Sequence, residues 1–187
     1  MIRDILNYFS YNSVVILSYF LICFIVFVFN VIFKGKINEL FMCKRGSILN
    51  PLTYIRMVTS GFCHNDFNHF KNNFLMILLI GPMIEEKYGS IPILKMILIT
   101  TFISGLVHTI FYSTPSVGAS DNVYMLATLG SIVNVNSGKI PISLVLIFLF
   151  FLLSEIINLF FRKDNISHDG HIVGAICGIL FGYSNLI

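Results

Sequence analysis

Two residue types that together transfer acyl groups, a serine and a histidine, occur at unusual places in this chain. Ser120 lies two residues after Gly118 at the start of a short apolar run, and His171 lies near the start of another. A serine hydroxyl is a weak nucleophile until a base takes its proton, and histidine is suited to that role near neutral pH. His69 precedes Asn73 by four residues, so both share a helix face as side-chain donors. These residues predict a serine hydrolase with Ser120 as nucleophile and His171 as general base.

The elements that must position these residues are apolar segments of membrane-spanning length. A span needs about 20 apolar residues, and the sequence predicts spans at 14–33, 69–86, 91–112, 120–134, 140–161 and 168–184. Consecutive spans cross in opposite directions, so the second, fourth and sixth are parallel. Their first turns carry His69, Ser120 and His171, which therefore meet on one side of the membrane. The connection at 34–68 is predicted to form short amphipathic helices in the membrane interface.

The fourth span is short, which predicts that Ser120 lies below the membrane surface. About 15 residues of helix cover about 22 Å, whereas the hydrocarbon core is about 30 Å thick. The preceding segment, 113–119, must then enter the bundle as irregular backbone, which requires enclosure by protein or a water-filled cavity. The free N–H groups and positive dipole end at the start of this helix suit an oxyanion.

Three further residues are predicted to bring the base to the nucleophile. Tyr124 lies one turn after Ser120, where its ring can pack against the imidazole of His171. Gly174 and Gly178 share a helix face with His171 and let the sixth span approach the fourth. The same glycines also fit an ordinary small-residue helix contact, and both interpretations can hold.

The composition predicts a single all-α membrane domain over residues 1–187. The chain is 56% hydrophobic and 11% charged, with a mean hydropathy of +0.86, whereas soluble domains carry about 25% charged residues. The net charge of +3 and the lack of a basic stripe argue against a nucleic-acid partner.

The first apolar run is longer than a signal-peptide core and lacks a cleavage site, so we expect a retained helix. Cys43 and Cys63 fall in one polar connection and can pair in an oxidising compartment.

With these residues placed, the chain resembles the rhomboid intramembrane serine proteases in their basic six-helix form. The likeness extends from about Arg56 to Gly182. It is carried by motifs from three spans, which occur in the family's order. These motifs are His64-x4-His69-x3-Asn73, Gly118-x-Ser120 with Tyr124, and His171-x2-Gly174-x3-Gly178.

The resemblance implies an endopeptidase that cleaves transmembrane protein substrates with a Ser–His dyad. It implies no catalytic carboxylate, no cofactor and no metal, with substrates and membrane lipids as the partners. By that likeness, the side chains of His69 and Asn73 and the amide of Ser120 form the oxyanion site. His64 has a structural role, and Arg56 and Glu85 match positions that brace the first loop in relatives.

Two positions depart from the family pattern. Asp121 stands where the family usually has glycine, and Ile55 stands where a tryptophan usually precedes Arg56. A carboxylate in a first helical turn is favourable with the helix dipole. It can also stabilise protonated His171 or crowd the substrate. Asp121 therefore leaves open a catalytically inactive rhomboid-like protein that binds membrane clients through the same groove.

A metal enzyme is the third interpretation. Its ligands would be His64, His69, His168 and His171. The sequence has no H-E-x-x-H pattern, and a metal site would leave Ser120 unexplained.

Three polar residues in the predicted spans lie outside these motifs. We expect Asp169 to cap the sixth span, with acid assistance to His171 as the less favoured alternative, and His108 to be packed or to face a cavity. Glu155 lies in the most apolar span, where it can face a cavity, pair with a neighbour or lie near the interface, and the sequence predicts no role for it.

The sequence gives two conflicting predictions for the side on which the site opens. Lysine and arginine are concentrated in loops one, three and five, and the positive-inside rule then places the mouth in the cytoplasm. The family resemblance implies that the mouth opens to the extracytoplasmic side. We expect the second orientation, because local structure can fix the residues of an interfacial loop.

Overall fold

The chain forms a bundle of helices in a computed structural model that describes residues 11–133, 140–161 and 167–183. The long helices are α1 Val14–Ile32, α4 Phe67–Tyr88, α5 Ser90–Phe111, α6 Ser120–Ile132, α7 Ile142–Phe161 and α8 His168–Tyr183. The shorter helices between α1 and α4 are α2 Lys36–Phe41 and α3 Pro51–Thr59, with a 3₁₀ turn at Ser60–Phe62. The segment Phe148–Leu152 of α7 is π-helical. Within the described ranges there is no β-strand, and the all-α prediction is confirmed.

The long helices lie at the six predicted segments, and α2 and α3 form the short helices expected in the first loop. Three of them, α1, α5 and α7, are long and apolar enough to cross a membrane. Crossing by α4, α6 and α8 stays a prediction. The predicted ends of the fourth and sixth spans, residues 134 and 184, lie outside the described residues.

The second span begins earlier than predicted because a side chain caps it. The carboxylate of Asp66 accepts a hydrogen bond from the backbone N–H of His69 at 2.9 Å, so α4 starts at Phe67. A cap of this kind satisfies one of the free N–H groups at a helix start. As a consequence, His69 lies in the first turn of α4.

The short helix α6 lies at the centre of the bundle and packs against α4, α5, α7 and α8. Its buried positions include Met125, Leu126 and Leu129, which join the apolar core. Asn122 is fully buried, and its side-chain amide donates to the hydroxyl of Thr101 on α5 at 2.8 Å. A buried amide with partners ties the central helix to its neighbours in one register.

Helix α7 lies at the edge of the bundle. Within α7 the one buried side chain is that of Leu152, and most of the others are exposed apolar groups. An apolar helix face of this kind is suited to contact lipid.

Arg56 and Glu85 lie in different parts of the fold. The guanidinium of Arg56 donates to the carbonyl of Leu40 at 2.9 Å, which links α3 to α2 within the first loop. The expectation that Glu85 also braces this loop is corrected. Its carboxylate accepts from the backbone N–H groups of Val15 and Ile16, both at 3.0 Å. It therefore caps the start of α1, where four N–H groups lack helical partners.

All four cysteines are free and buried, so the possible Cys43–Cys63 pair is not formed. The thiol of Cys43 lies 3.3 Å from the hydroxyl of Thr109. Burial raises the pKa of Cys63 to about 12. A protonated thiol with that pKa is chemically inert.

Candidate active site

The backbone before α6 is irregular and is held by the first loop. Cys43 and Ser116 exchange backbone hydrogen bonds of 3.0 and 2.8 Å. The N–H of Gly118 donates to the carbonyl of Ser60 at 3.0 Å. These contacts enclose the segment with protein, as irregular backbone would require at the predicted membrane depth.

Gly118 occupies a position that only glycine fits. Its φ is +129°, which side chains rarely adopt, and a Cβ built there would lie 2.6 Å from Nε2 of His69. The same Cβ would lie 3.6 Å from Nδ2 of Asn73. His69 and Asn73 therefore both lie beside the backbone two residues before Ser120.

Ser120 is the first residue of α6, and its hydroxyl does not cap the helix. The N-cap is Ala119, and the helix has no side-chain cap. Ser120 also lines a cavity of about 20 Å³, together with Ser104 and His108. A polar cavity of that volume has room for about one water molecule.

His64 is fully buried and holds the amide of Asn73. Nε2 of His64 lies 3.2 Å from Nδ2 of Asn73. Burial, reinforced by the nearby His69, lowers the pKa of His64 from 6.5 to about 3. The neutral ring can accept a hydrogen bond from the Asn73 amide. This contact supports the structural role expected for His64.

Helix α8 brings His171 to α6 through the predicted glycine face. A Cβ built on Gly174 would overlap the carbonyl of Asp121, and one on Gly178 would lie 2.5 Å from the carbonyl of Met125. Close approach of backbones needs residues without side chains. The predicted close contact of these two helices is thus confirmed.

The ring of Tyr124 stacks on the imidazole of His171, as predicted. Their centroids are 4.4 Å apart and their planes differ by 14°. Because Tyr124 lies one turn after Ser120, this stack places the histidine next to the first turns of α6.

The sequence prediction did not assign a role to Glu155, which lies beside His171. Oε2 of Glu155 is 2.9 Å from Nδ1 of His171 and 2.5 Å from Nδ1 of His168. Oε1 accepts a hydrogen bond from the hydroxyl of Tyr124 at 2.8 Å. The signal in the sequence was an acidic residue in a strongly apolar span, but a span alone does not tell which way the residue points.

Asp121, which stands where the family usually has glycine, does not lie beside the base His171. Its carboxylate accepts from the N–H of Asn122 at 2.8 Å and from the side chain of Ser104 on α5. The side chain is buried and borders the small cavity behind Ser120. The carboxylate at ion-pair distance from His171 is that of Glu155 instead.

His108 joins α5 to two other parts of the site. Nδ1 of His108 lies 3.0 Å from Oδ2 of Asp169, and Nε2 lies 2.7 Å from the carbonyl of Thr114. The ring thereby links α8 to the segment that precedes α6. Asp169 lies in the first turn of α8, where it was expected to cap the helix, and its carboxylate accepts from the backbone N–H of Gly170 in addition to its pairing with this histidine.

The histidines proposed as a four-ligand metal set fall into two groups. His64 contacts Asn73 and the ring of His69, at a centroid distance of 5.1 Å. His168 and His171 lie with Glu155, and potential ligand atoms of these three are within 4.8 Å of one another. Among the described residues this group is the candidate for a metal, and it differs from the predicted set.

These features define the class of the protein: an all-α membrane protein whose central helix α6 begins with a serine and carries, one turn later, a tyrosine stacked on a histidine of α8. The family model of the rhomboid domain matches residues 51–186. The chain belongs to the rhomboid family. No curated protein gives a match in sequence comparison.

Proposed function

We propose that this rhomboid-family protein is an intramembrane serine endopeptidase. The observation that carries the proposal is the packing of α8 on the first turns of α6. Gly174 meets the carbonyl of Asp121, and His171 stacks on Tyr124, one turn after Ser120. A base held against the start of the nucleophile's helix is the arrangement that a Ser–His dyad needs.

In the proposed reaction, Oγ of Ser120 attacks the scissile carbonyl carbon while His171 takes the hydroxyl proton. The imidazolium then gives that proton to the amine as the C–N bond breaks. A water molecule hydrolyses the acyl-enzyme by the same proton transfers, which restores Ser120 and releases the acid.

The tetrahedral intermediate carries a negative oxygen that must be stabilised. The backbone N–H of Ser120 at the α6 start and the side chains of His69 and Asn73 are the proposed donors. Both side chains lie beside Gly118, close to the nucleophile. Fixed donors aimed at a developing oxyanion contribute about 2.7–4 kcal/mol each in known enzymes.

The proposed substrates are transmembrane proteins, and the proposed mouth of the site opens to the extracytoplasmic side. Membrane lipids surround the apolar surface of the bundle, including that of α7. Cysteine-accessibility labelling of the first loop tests the orientation. Labelling of that loop only after permeabilisation would show that the mouth opens to the cytoplasm.

The test of activity uses the purified full chain in detergent with a model transmembrane substrate. The wild type is expected to cleave it, Ser120→Ala and His171→Ala are expected to lose cleavage, and a chelator is expected to have no effect. Ser154→Ala is a matched control, because that serine is exposed on α7 and its hydroxyl bonds the carbonyl of Phe151.

The inactive client-binding alternative predicts a different result. In that case the wild type captures the substrate without cleaving it, and Ser120→Ala captures it equally well. Asp121→Gly then shows whether the unusual residue after the nucleophile causes the inactivity. Cleavage by that variant alone would assign the defect to Asp121.

A further inference from the structure

We propose that Glu155 is a positioning residue for the general base, so that the site is a serine–histidine–glutamate arrangement and not a simple dyad. The proposal rests on the proposed protease function. Neither the family resemblance nor the sequence predicts a carboxylate at this place. The inference is carried by the contacts of Glu155 with residues of α6 and α8.

The carboxylate of Glu155 is anchored by both oxygens. Tyr124 donates its hydroxyl to Oε1 at 2.8 Å, and Nδ1 of His168 lies 2.5 Å from Oε2. The Glu155 side chain is 12% exposed and that of His171 is 11% exposed. A carboxylate in so apolar a helix is costly unless it is paired, so these contacts account for its position.

The same carboxylate lies beside Nδ1 of His171, the ring nitrogen that the proposed proton transfer does not use. Oε2 is 2.9 Å from Nδ1 of His171, an ion-pair distance. Nδ1 of His171 makes no aligned hydrogen bond. Oε2 of Glu155 therefore lies to one side of the Nδ1–H direction. The interaction is therefore mainly electrostatic. It favours the tautomer with the proton on Nδ1 and leaves the Nε2 lone pair free to accept the proton of Ser120.

The proton transfers balance without any change at Glu155. When Oγ of Ser120 bonds to the carbonyl carbon, its proton moves to Nε2 of His171. The resulting imidazolium places its Nδ1–H beside the ionised Glu155, which stabilises the positive charge. Nε2 then protonates the leaving amine, and Glu155 stays ionised throughout.

The distances from Oε2 to the two histidine nitrogens are those of direct contacts. In a tetrahedral zinc site with ligand distances of about 2.0–2.1 Å, neighbouring ligand atoms lie roughly 3.3 Å apart. The separations from Oε2 to the two histidine nitrogens are 2.5 and 2.9 Å. These are lengths of charge-assisted hydrogen bonds and ion pairs.

The first experiment compares kcat and KM of Glu155→Gln with those of the wild type. The variant keeps the size of the side chain but loses its charge. We expect kcat to fall roughly 10- to 100-fold with KM within about 2-fold, and Glu155→Asp to recover part of the loss. Glu86→Gln is the matched control, because Glu86 is exposed at the far end of α4. Its kcat is expected to equal that of the wild type.

A structural role for Glu155 predicts another pattern. If Glu155→Gln lowers thermal stability but the folded fraction has the kcat of the wild type, the proposal is overturned. Loss of wild-type cleavage on chelation, with recovery on adding zinc, overturns it in favour of a metal. A wild type that cleaves nothing disproves the protease function itself, which is a separate result.

The second experiment needs no substitution at Glu155. Nitrogen-15 NMR of histidine-labelled protein in micelles at neutral pH reports the tautomer of each ring, and the missing signal in His171→Ala assigns His171. A proton on Nδ1 supports the proposal. A proton on Nε2 with bare Nδ1 would place a lone pair against the carboxylate and would overturn it.

Discussion

Gly174 lies against the carbonyl oxygen of Asp121 so closely that a single added methyl group would overlap it. The contact is between backbone atoms of α6 and the surface of α8, and backbone atoms cannot move aside as a flexible side chain can. The separation of α6 and α8, and with it the position of His171 relative to Ser120, is therefore set by the absence of a side chain at this residue.

Gly174→Ala is expected to separate α8 from α6 and to lower both stability and cleavage. Overpacking of a tight contact costs about 1–3 kcal/mol, and a shift of about 1 Å between base and nucleophile can cost about 100-fold in rate. Thermal melts in detergent and the cleavage assay measure the two effects.

Gly182→Ala is the control for Gly174, since an added Cβ there meets the flexible end of Ile132 at 3.1 Å. Gly182→Ala is expected to lose much less stability and much less cleavage activity than Gly174→Ala. Equal effects at Gly174 and Gly182 would contradict the role given to the contact with Asp121.

Gly118→Ala is expected to displace the side chain of His69 and to lower kcat. The added methyl group would lie 2.6 Å from Nε2 of His69, on backbone with φ of +129°. The conformational part alone costs roughly 1–3 kcal/mol. Gly35→Ala separates the two effects, because Gly35 has a φ of +89° and no atom within 4 Å of its Cβ position. We expect Gly35→Ala to lower the melting temperature with no change in kcat, and a normal kcat in Gly118→Ala would refute the steric argument.

Tyr124 has two separable contacts, the ring stack with His171 and the hydroxyl bond to Glu155. Tyr124→Phe keeps the stack and removes the bond, so we expect a modest loss in kcat, on the order of 10-fold or less. Tyr124→Leu removes both contacts and is expected to lose more. Kinetics of the two variants with one substrate measure the difference, and equal losses would mean that the ring stack does not orient the base.

His64 is expected to make the fold sensitive to acid. Its pKa is about 3 in the folded protein, lowered from 6.5 by burial. Between these values the unfolded chain binds a proton that the folded chain does not, so stability falls as the pH is lowered through this window. The slope from this group is about 1.4 kcal/mol per pH unit. Above pH 6.5 the group contributes no pH dependence.

The measurement for His64 is unfolding in detergent from pH 4 to 7, for the wild type and for His64→Gln. Glutamine keeps an acceptor for the amide of Asn73 but does not titrate. We expect the variant to lose less stability on acidification than the wild type. Parallel pH curves would show that protonation of His64 does not limit the fold.

The chain sequence was sufficient to predict features that depend on local spacing. Helix positions follow from the lengths of the apolar runs, and the approach of α8 to α6 follows from Gly174 and Gly178 on one face with His171. The stack of Tyr124 on that histidine was predicted in the same way. Each of these depends on residues a turn or two apart, where helix geometry fixes direction.

Only the tertiary structure decided where the carboxylates lie. Three acidic residues, Glu155, Asp121 and Glu85, belong to three different helices, and their partners depend on how each helix is rotated about its axis. Glu155 meets His171, whereas Asp121 turns to α5 and Glu85 caps α1. The polar residues Ser154, Glu155 and Asn158 are spaced along the second half of α7, but their spacing does not tell which neighbouring helix each of them meets. The polar contacts of α7 are therefore settled by packing against α6 and α8, which the sequence pattern does not contain.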